Sequence, residues 1–195
     1  MKIRLLFLRK NIFFTLFLAG IIFCLCSCAT NRNKETVSYI WLTNNAKFIL
    51  LPAHEIEKPL DGYQLMTASF SGQNYQMNTW VKADETGMDI TLLNEMGANM
   101  GELIWRDGKI SFSSSVFPPS MKPEYIIADF QFCFYKGQAL SETLQKTGFY
   151  LTETESGRLV HRGNNIIMEI TKGQNTITLN NHLRGYIYIL EGEFE

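Results

Sequence analysis

The chain has 195 residues, 46% of them hydrophobic, which is enough apolar material for one packed domain and too much for a disordered one. Its formal net charge of −1 combines two unlike parts. Residues 1–27 hold four basic residues and no acid; taking those four from the 18 Lys and Arg leaves 14 against 19 Asp and Glu, a formal charge of −5 for residues 28–195. A mildly acidic chain argues against nucleic acid as a partner, because a clustered basic face supplies most of that affinity.

The first segment runs from a basic stretch (Met1 to Lys10) through an apolar one (Ile12 to Cys26) to small residues. This is the layout of a signal peptide. The apolar run is at the short end for a membrane-spanning helix, which needs about 20 residues. An uncleaved anchor is the rival reading, since Leu5 to Leu8 add apolar length. Leu25-Cys26-Ser27-Cys28 resembles the lipobox of bacterial lipoprotein precursors. The chemistry needs a thiol at the last position to receive diacylglycerol, and small side chains before it so that the peptidase can reach the scissile bond. Cys24 and Cys26 have bulky contexts, so Cys28 is the expected lipid acceptor. The predicted organisation is a signal peptide over 1–27, a lipidated tether over 28–36, and a single domain over 37–195. Polar residues without periodicity fill the tether. Once Cys24 and Cys26 leave with the signal, Cys133 is the one thiol besides the lipidated Cys28, so no internal disulfide and no metal-site spacing is expected. Cys133 sits among Phe132, Phe134 and Tyr135 and reads as a small buried residue.

Beyond the tether the chain reads as short strands. Tyr63 to Phe70 and Tyr75 to Val81 flank the polar turn Ser71 to Asn74. Met88 to Leu93 follows the turn Asp84 to Gly87. Met100 to Arg106 and Lys109 to Ser114 flank Asp107-Gly108, a strong hairpin signal. Five more strands are expected over Phe149–Thr154, Leu159–Arg162, Ile166–Thr171, Thr176–Asn180 and Gly185–Glu191, with Gly- and Asn-rich turns between them. Turns at intervals of about ten residues predict an antiparallel meander.

The stretch between the two runs is different. Pro118, Pro119 and Pro123 lack donors and cannot continue a ladder. Pro123-Glu124 suits a helix start. Ile126, Ile127, Phe130, Cys133 and Phe134 fall at helical spacing, yet alternate residues from Ile126 to Phe134 also fit a strand, so pattern alone leaves both open. Residues 138–147 read as a short helix stopped at Gly148. A helical insert over about 123–147 follows.

Several strands carry large apolar groups on both faces. One face of the first hairpin is expected to offer Met66 and Phe70 with Trp80 on the partner strand, and the other Tyr63, Leu65, Met77 and Val81. A solvated face would be more polar, so the second face needs a cover: the insert, a ligand, or both.

Four stretches carry a resemblance: Phe48 to Ala53, Tyr63 to Phe70, Gly101 to Ile110 and Pro118 to Tyr135; His182 to Leu190 fits it too. They are similar to an uncharacterised family of bacterial lipoproteins, some members of which are encoded beside aryl polyene biosynthesis genes. That family is similar in architecture to LolB and LolA, lipoprotein carriers of the Gram-negative envelope. The resemblance implies a mainly β, α+β fold: a curved antiparallel half-barrel with helices across its concave face and an apolar cavity between. It implies helix over 124–135, a cavity lined by Met66, Phe70, Trp80, Ile126, Ile127, Phe130 and Phe134, and a lipid-like ligand. LolB has a protruding loop bearing an exposed apolar residue; the turn Ser71 to Asn74 here is short and polar.

Enzyme motifs are missing. His54, His161 and His182 lie in unrelated turns or strands, His54-Glu55 lacks the second His of a zinc-protease helix, and there is no Gly-x-Ser-x-Gly elbow, phosphate-cradling glycine loop or Cys-x-x-Cys. The expected function is a lipid-binding or lipid-transfer lipoprotein that needs no cofactor or metal and is not an enzyme; a structural adaptor without ligand is the alternative. Ala29 after the lipidated cysteine, where Asp would retain many Gram-negative lipoproteins in the inner membrane, leads to the outer membrane, periplasmic side. Cys28→Ala should abolish metabolic labelling with radioactive fatty acid and leave the precursor uncut. Undiminished labelling would move the acceptor to Cys26 or end the lipoprotein reading.

Overall fold

The structure is a computed structural model that describes residues 38–194 except 71, 107, 116 and 118–120, and does not describe the side chain of Phe70. The expected signal peptide, the tether and Cys28 lie outside the described residues. All described residues fall in one compact unit, Glu35–Glu195.

The unit begins with a hairpin of β1 (Tyr39–Thr43) and β2 (Ala46–Ile49), followed by a 3-10 turn at Ala53–Glu55. A first meander follows: β3 (Leu60–Phe70), β4 (Gln73–Asp84), β5 (Gly87–Leu93), β6 (Asn99–Arg106) and β7 (Lys109–Ser114). Two helices come next, α1 (Pro123–Phe134) and α2 (Gly137–Gln145). A second meander closes the chain: β8 (Tyr150–Thr154), β9 (Gly157–Arg162), β10 (Asn165–Lys172), β11 (Thr176–Asn181) and β12 (Tyr186–Gly192).

The two meanders form one ten-stranded antiparallel sheet, ordered β7-β6-β5-β4-β3-β12-β11-β10-β9-β8. The first strand of one meander pairs with the last strand of the other, Met66 facing Leu190. The edges β7 and β8 do not meet, so the sheet is not closed into a barrel. The chain that joins these two edges contains both helices. Side chains from β3 to β7, from β11 and β12 and from α1 line a single cavity, so the sheet wraps around α1.

The helix over 124–135 forms, and its two-sided pattern has a physical cause. Ile127 to Phe134 are all buried, because α1 lies between the sheet and the β1–β2 hairpin. Phe132 packs on Phe48 of β2, ring centroids 4.8 Å apart, while Phe130 and Cys133 face the cavity. A helix buried on both sides needs apolar residues around its whole girth. Gly148 stops the chain after α2 with φ of 78°, a conformation that glycine adopts without steric cost.

Polar pins hold the cover in place. The side chain of Gln131, fully buried, pairs both ways with the backbone of Leu51: its Nε2 donates to the carbonyl at 2.9 Å, and its Oε1 accepts from the amide at 2.9 Å. Just beyond the helix, Glu57 N donates to Phe134 O at 2.9 Å and Lys136 N to Glu55 O at 2.9 Å. Arg158, buried on β9, donates through Nη1 to the carbonyls of Phe132 (3.1 Å) and Tyr135 (2.7 Å), capping the C-terminus of α1. Its other nitrogens reach outward to Glu57 (3.1 Å) and Glu153 (3.2 Å), both largely exposed.

Replacing Arg158 by Leu leaves two buried carbonyls unpaired and should cost about 2–4 kcal/mol. Arg158→Lys should recover little, since one ammonium cannot reproduce the guanidinium fork. Glu57→Gln should cost less than about 1 kcal/mol, as expected for an exposed partner. Urea denaturation measures all three, and a loss for Arg158→Leu no larger than that for Glu57→Gln would refute the capping role.

Candidate functional site: an apolar cavity under helix α1

Period-two alternation places every second residue of each strand on the inner face. From β3 these are Gln64, Met66 and Ala68; from β4, Tyr75, Met77, Thr79 and Val81. Ile90, Leu92, Leu103 and Phe112 continue the surface toward the β7 edge, and Leu190, Tyr188, Leu179 and Ile177 continue it the other way. Ile126, Asp129, Phe130 and Cys133 of α1 close it from above, with Phe117 and Met121 of the preceding loop. The space between them is a narrow slot rather than a wide chamber. Exposure falls along β4: Tyr75 is exposed, Met77 half-buried, Thr79 and Val81 buried. The mouth therefore lies at the β3–β4 turn and the floor near Gln64, Thr79 and Val81.

Of the residues expected in the cavity, Met66, Ile126 and Phe130 line it. Phe134 is buried at the closed end, its ring 4.6 Å from Phe130 and 5.7 Å from Phe194, without lining the slot. Ile127 is fully buried but is not a lining residue either. The side chain of Phe70 is outside the description. Trp80 is a correction: it is 46% exposed on the outer face and donates through Nε1 to Asp61 at 3.0 Å. The cause is register. Phe70 pairs with Gln73, so even-numbered residues of β3 face odd-numbered residues of β4 throughout; Met66 faces Met77, and Trp80 faces Tyr63. Met77 and Val81, expected on the opposite face, are in the cavity. The sequence reading also passed over the β1–β2 hairpin, whose alternation and Asn44-Asn45 turn were legible signals.

It missed the polar members of the site as well. Asp129 is 5% exposed, and the hydroxyl of Tyr186 lies 2.8 Å from each of its carboxyl oxygens. Asn181 Nδ2 donates to the same hydroxyl at 3.0 Å, and Arg184 N donates to Asn181 Oδ1 at 3.0 Å. The Arg184 guanidinium stacks 4.2 Å over the Tyr125 ring and donates to its hydroxyl at 2.8 Å. This chain ties α1 to the β11–β12 turn. Burial pushes the Asp129 carboxyl up to about 7, against the hydrogen bond from Tyr186 and the charge of Arg184. Burial likewise pushes the Cys133 thiol up to about 12, so it stays protonated.

Among the described residues, no group of three or more His, Cys, Asp or Glu comes together as a metal site, and no helix is long and apolar enough to cross a membrane. The histidines are scattered: His161 contacts Thr152 at 3.0 Å, His182 lies 3.7 Å from Glu169, and His54 stands beside Glu55.

Asp129 gives the fold a pH dependence. Its carboxyl titrates near 3.9 in an unfolded chain and at about 7 in the folded one. Between those values the folded protein holds the extra proton, so this contribution to stability is full below about pH 4 and is lost as pH rises to about 7. The charged and titratable groups around it are Arg184, Tyr186, Tyr188 and Cys133. Asp129→Asn keeps an acceptor for Tyr186 but cannot ionise. Its melting temperature relative to the unaltered protein should rise between about pH 5 and pH 8; a constant difference would refute the assignment.

The search of curated proteins found no match to this chain. Residues 44–191, well over half of the sequence and spanning both meanders and both helices, match the profile of a family described as protein of unknown function (DUF3261), and the protein belongs to that family.

Proposed function

We propose that the protein is a membrane-anchored bacterial lipoprotein, held by lipid on Cys28 at the periplasmic side of the outer membrane, that binds or carries a lipid or other apolar chain in the slot under α1. The observation that carries this reading is the lining. Leu, Ile, Val, Met and Phe side chains from seven strands and one helix line a narrow slot. Sites with mostly apolar walls and few polar groups suit acyl or polyene chains. An open antiparallel sheet wrapped around helices also agrees with the LolA and LolB resemblance. The thiol in the lining, Cys133, is held protonated by burial, and among the described residues no metal set comes together, which favours binding over catalysis.

The described core and strand pairings form one compact unit, Glu35–Glu195, so a fragment beginning at residue 35 contains every described element. That fragment, titrated into an uncharged environment-sensitive naphthylamine probe, should show saturable micromolar binding that a lipid extract of the envelope competes away. Met77→Trp, which fills the slot near its mouth, should weaken binding at least tenfold while the melting temperature stays within a few degrees. No saturable binding by the unaltered fragment would sink the carrier reading in favour of the adaptor.

A further inference from the structure

At the floor of the apolar slot stands one polar side chain with nothing to bond. Gln64 is 3% exposed and lines the cavity. Its backbone is engaged, because the Thr79 hydroxyl donates to the Gln64 carbonyl at 3.2 Å. Its side-chain amide has no hydrogen-bond partner among the described residues. Gly192 faces it across the β3–β12 ladder, where a Cβ would come within 3.1 Å of Gln64 Cγ, so a glycine leaves the amide room to lie over the neighbouring strand. The amide atoms are not sealed in, since the enclosed unpaired side-chain atoms among the described residues are Asp89 Oδ1 and Trp105 Nε1; they open onto the slot instead, where a leucine would give a wholly apolar floor.

The charge of the lining is equally informative. Among the described residues no Lys, Arg or His lines the slot, and the carboxylic acid that does, Asp129, hangs from the cover. An anionic end group inside would lose its water without meeting a cation, and would face Asp129 whenever that group is ionised. The amide, by contrast, offers two donors and an acceptor.

We propose that the slot selects single-chain amphiphiles that carry an uncharged hydrogen-bonding group at the buried end, such as an alcohol, ester or amide, with Gln64 as the residue that recognises it. This deepens the carrier reading and rests on it. The ligand enters with that group first. Gln64 pairs with Thr79, four residues along β4 from Tyr75 at the mouth, so the group travels about 13 Å at roughly 3.3 Å per residue before it meets Gln64. The tail then fills the slot between Met66, Met77 and Phe130.

The test uses the fragment from residue 35 and the uncharged naphthylamine probe, displaced by four ligands of equal chain length: dodecanol, methyl dodecanoate, dodecanoate and dodecyl sulfonate. At about pH 8, where an acyl carboxylate is ionised, the alcohol and the ester should compete at least tenfold more tightly than the carboxylate and the sulfonate. Acidification should improve dodecanoate and leave the sulfonate poor. Gln64→Met, close in shape, should weaken the alcohol and the ester by about tenfold relative to the sulfonate, the worth of a neutral hydrogen bond, once the probe's own affinity has been measured for each variant. Gln64→Leu serves the same purpose if the methionine variant does not fold. Charged ligands that compete as well as neutral ones, or a Gln64 variant with an unaltered order of preference, would overturn the proposal while leaving a cavity that binds chains. Failure of the probe itself to bind would overturn the carrier reading and the end-group selectivity together.

Discussion

One topological constraint governs the molecule. Two antiparallel meanders are joined side by side through β3 and β12, which leaves β7 and β8 as the free edges, and the chain leading from one edge to the other contains both helices. A connection between opposite edges of a wrapped sheet has to cross the space that the sheet encloses. The inner face is apolar in nearly every strand, so water cannot be its cover; removing such surface from water is worth about 25 cal/mol per Å². Helix α1 therefore lies over the inner face, and the β1–β2 hairpin covers the back of the helix in turn.

Burial alone does not place a helix at one depth. Apolar contact is non-directional, and α1 could slide over a surface of Leu, Ile and Met at small cost. The directional contacts are few and cluster at the two ends. Arg158, the two-way Gln131–Leu51 pair and the short bridge of Ile56 with Tyr135 fix the C-terminal end, and the Asp129–Tyr186–Asn181 chain with Arg184 on Tyr125 fixes the N-terminal half. The slot runs under the face of the helix that carries Ile126, Asp129, Phe130 and Cys133. The cavity is thus a consequence of where the cover is pinned.

The strands and their turns were legible because each carries its own local signal: Asp107-Gly108 between β6 and β7, Gly148 after α2, and turns at regular intervals elsewhere. Helix α1 was ambiguous for a physical reason. Period 3.6 appears only when one face of a helix is solvated, and α1 has sheet on one side and hairpin on the other. Trp80 shows the limit of alternation. Parity within a strand gives the two faces correctly, as it did for Met77 with Val81, but the match between strands depends on where the pairing begins, and one residue moves a whole side-chain set across the sheet. The Phe70–Gln73 pairing decided that, and composition did not reveal it.

The polar residues of the site were out of reach for a different reason. Gln64 and Asp129 are ordinary letters in a sequence; only burial makes them costly. On an open sheet the Gln64 amide would be solvated and neutral in its effect, and on an exposed helix Asp129 would be one more acid in an acidic chain. The fold turns both into expensive groups by surrounding them with hydrocarbon. The two cases differ in how the cost is met. Asp129 is satisfied from within, by Tyr186, and by holding its proton up to about pH 7. Gln64 has no internal answer, and neither proton uptake nor release can neutralise an amide. Its hydrogen bonds are left to whatever enters the slot, and the proposed ligand would supply them from the end of its chain.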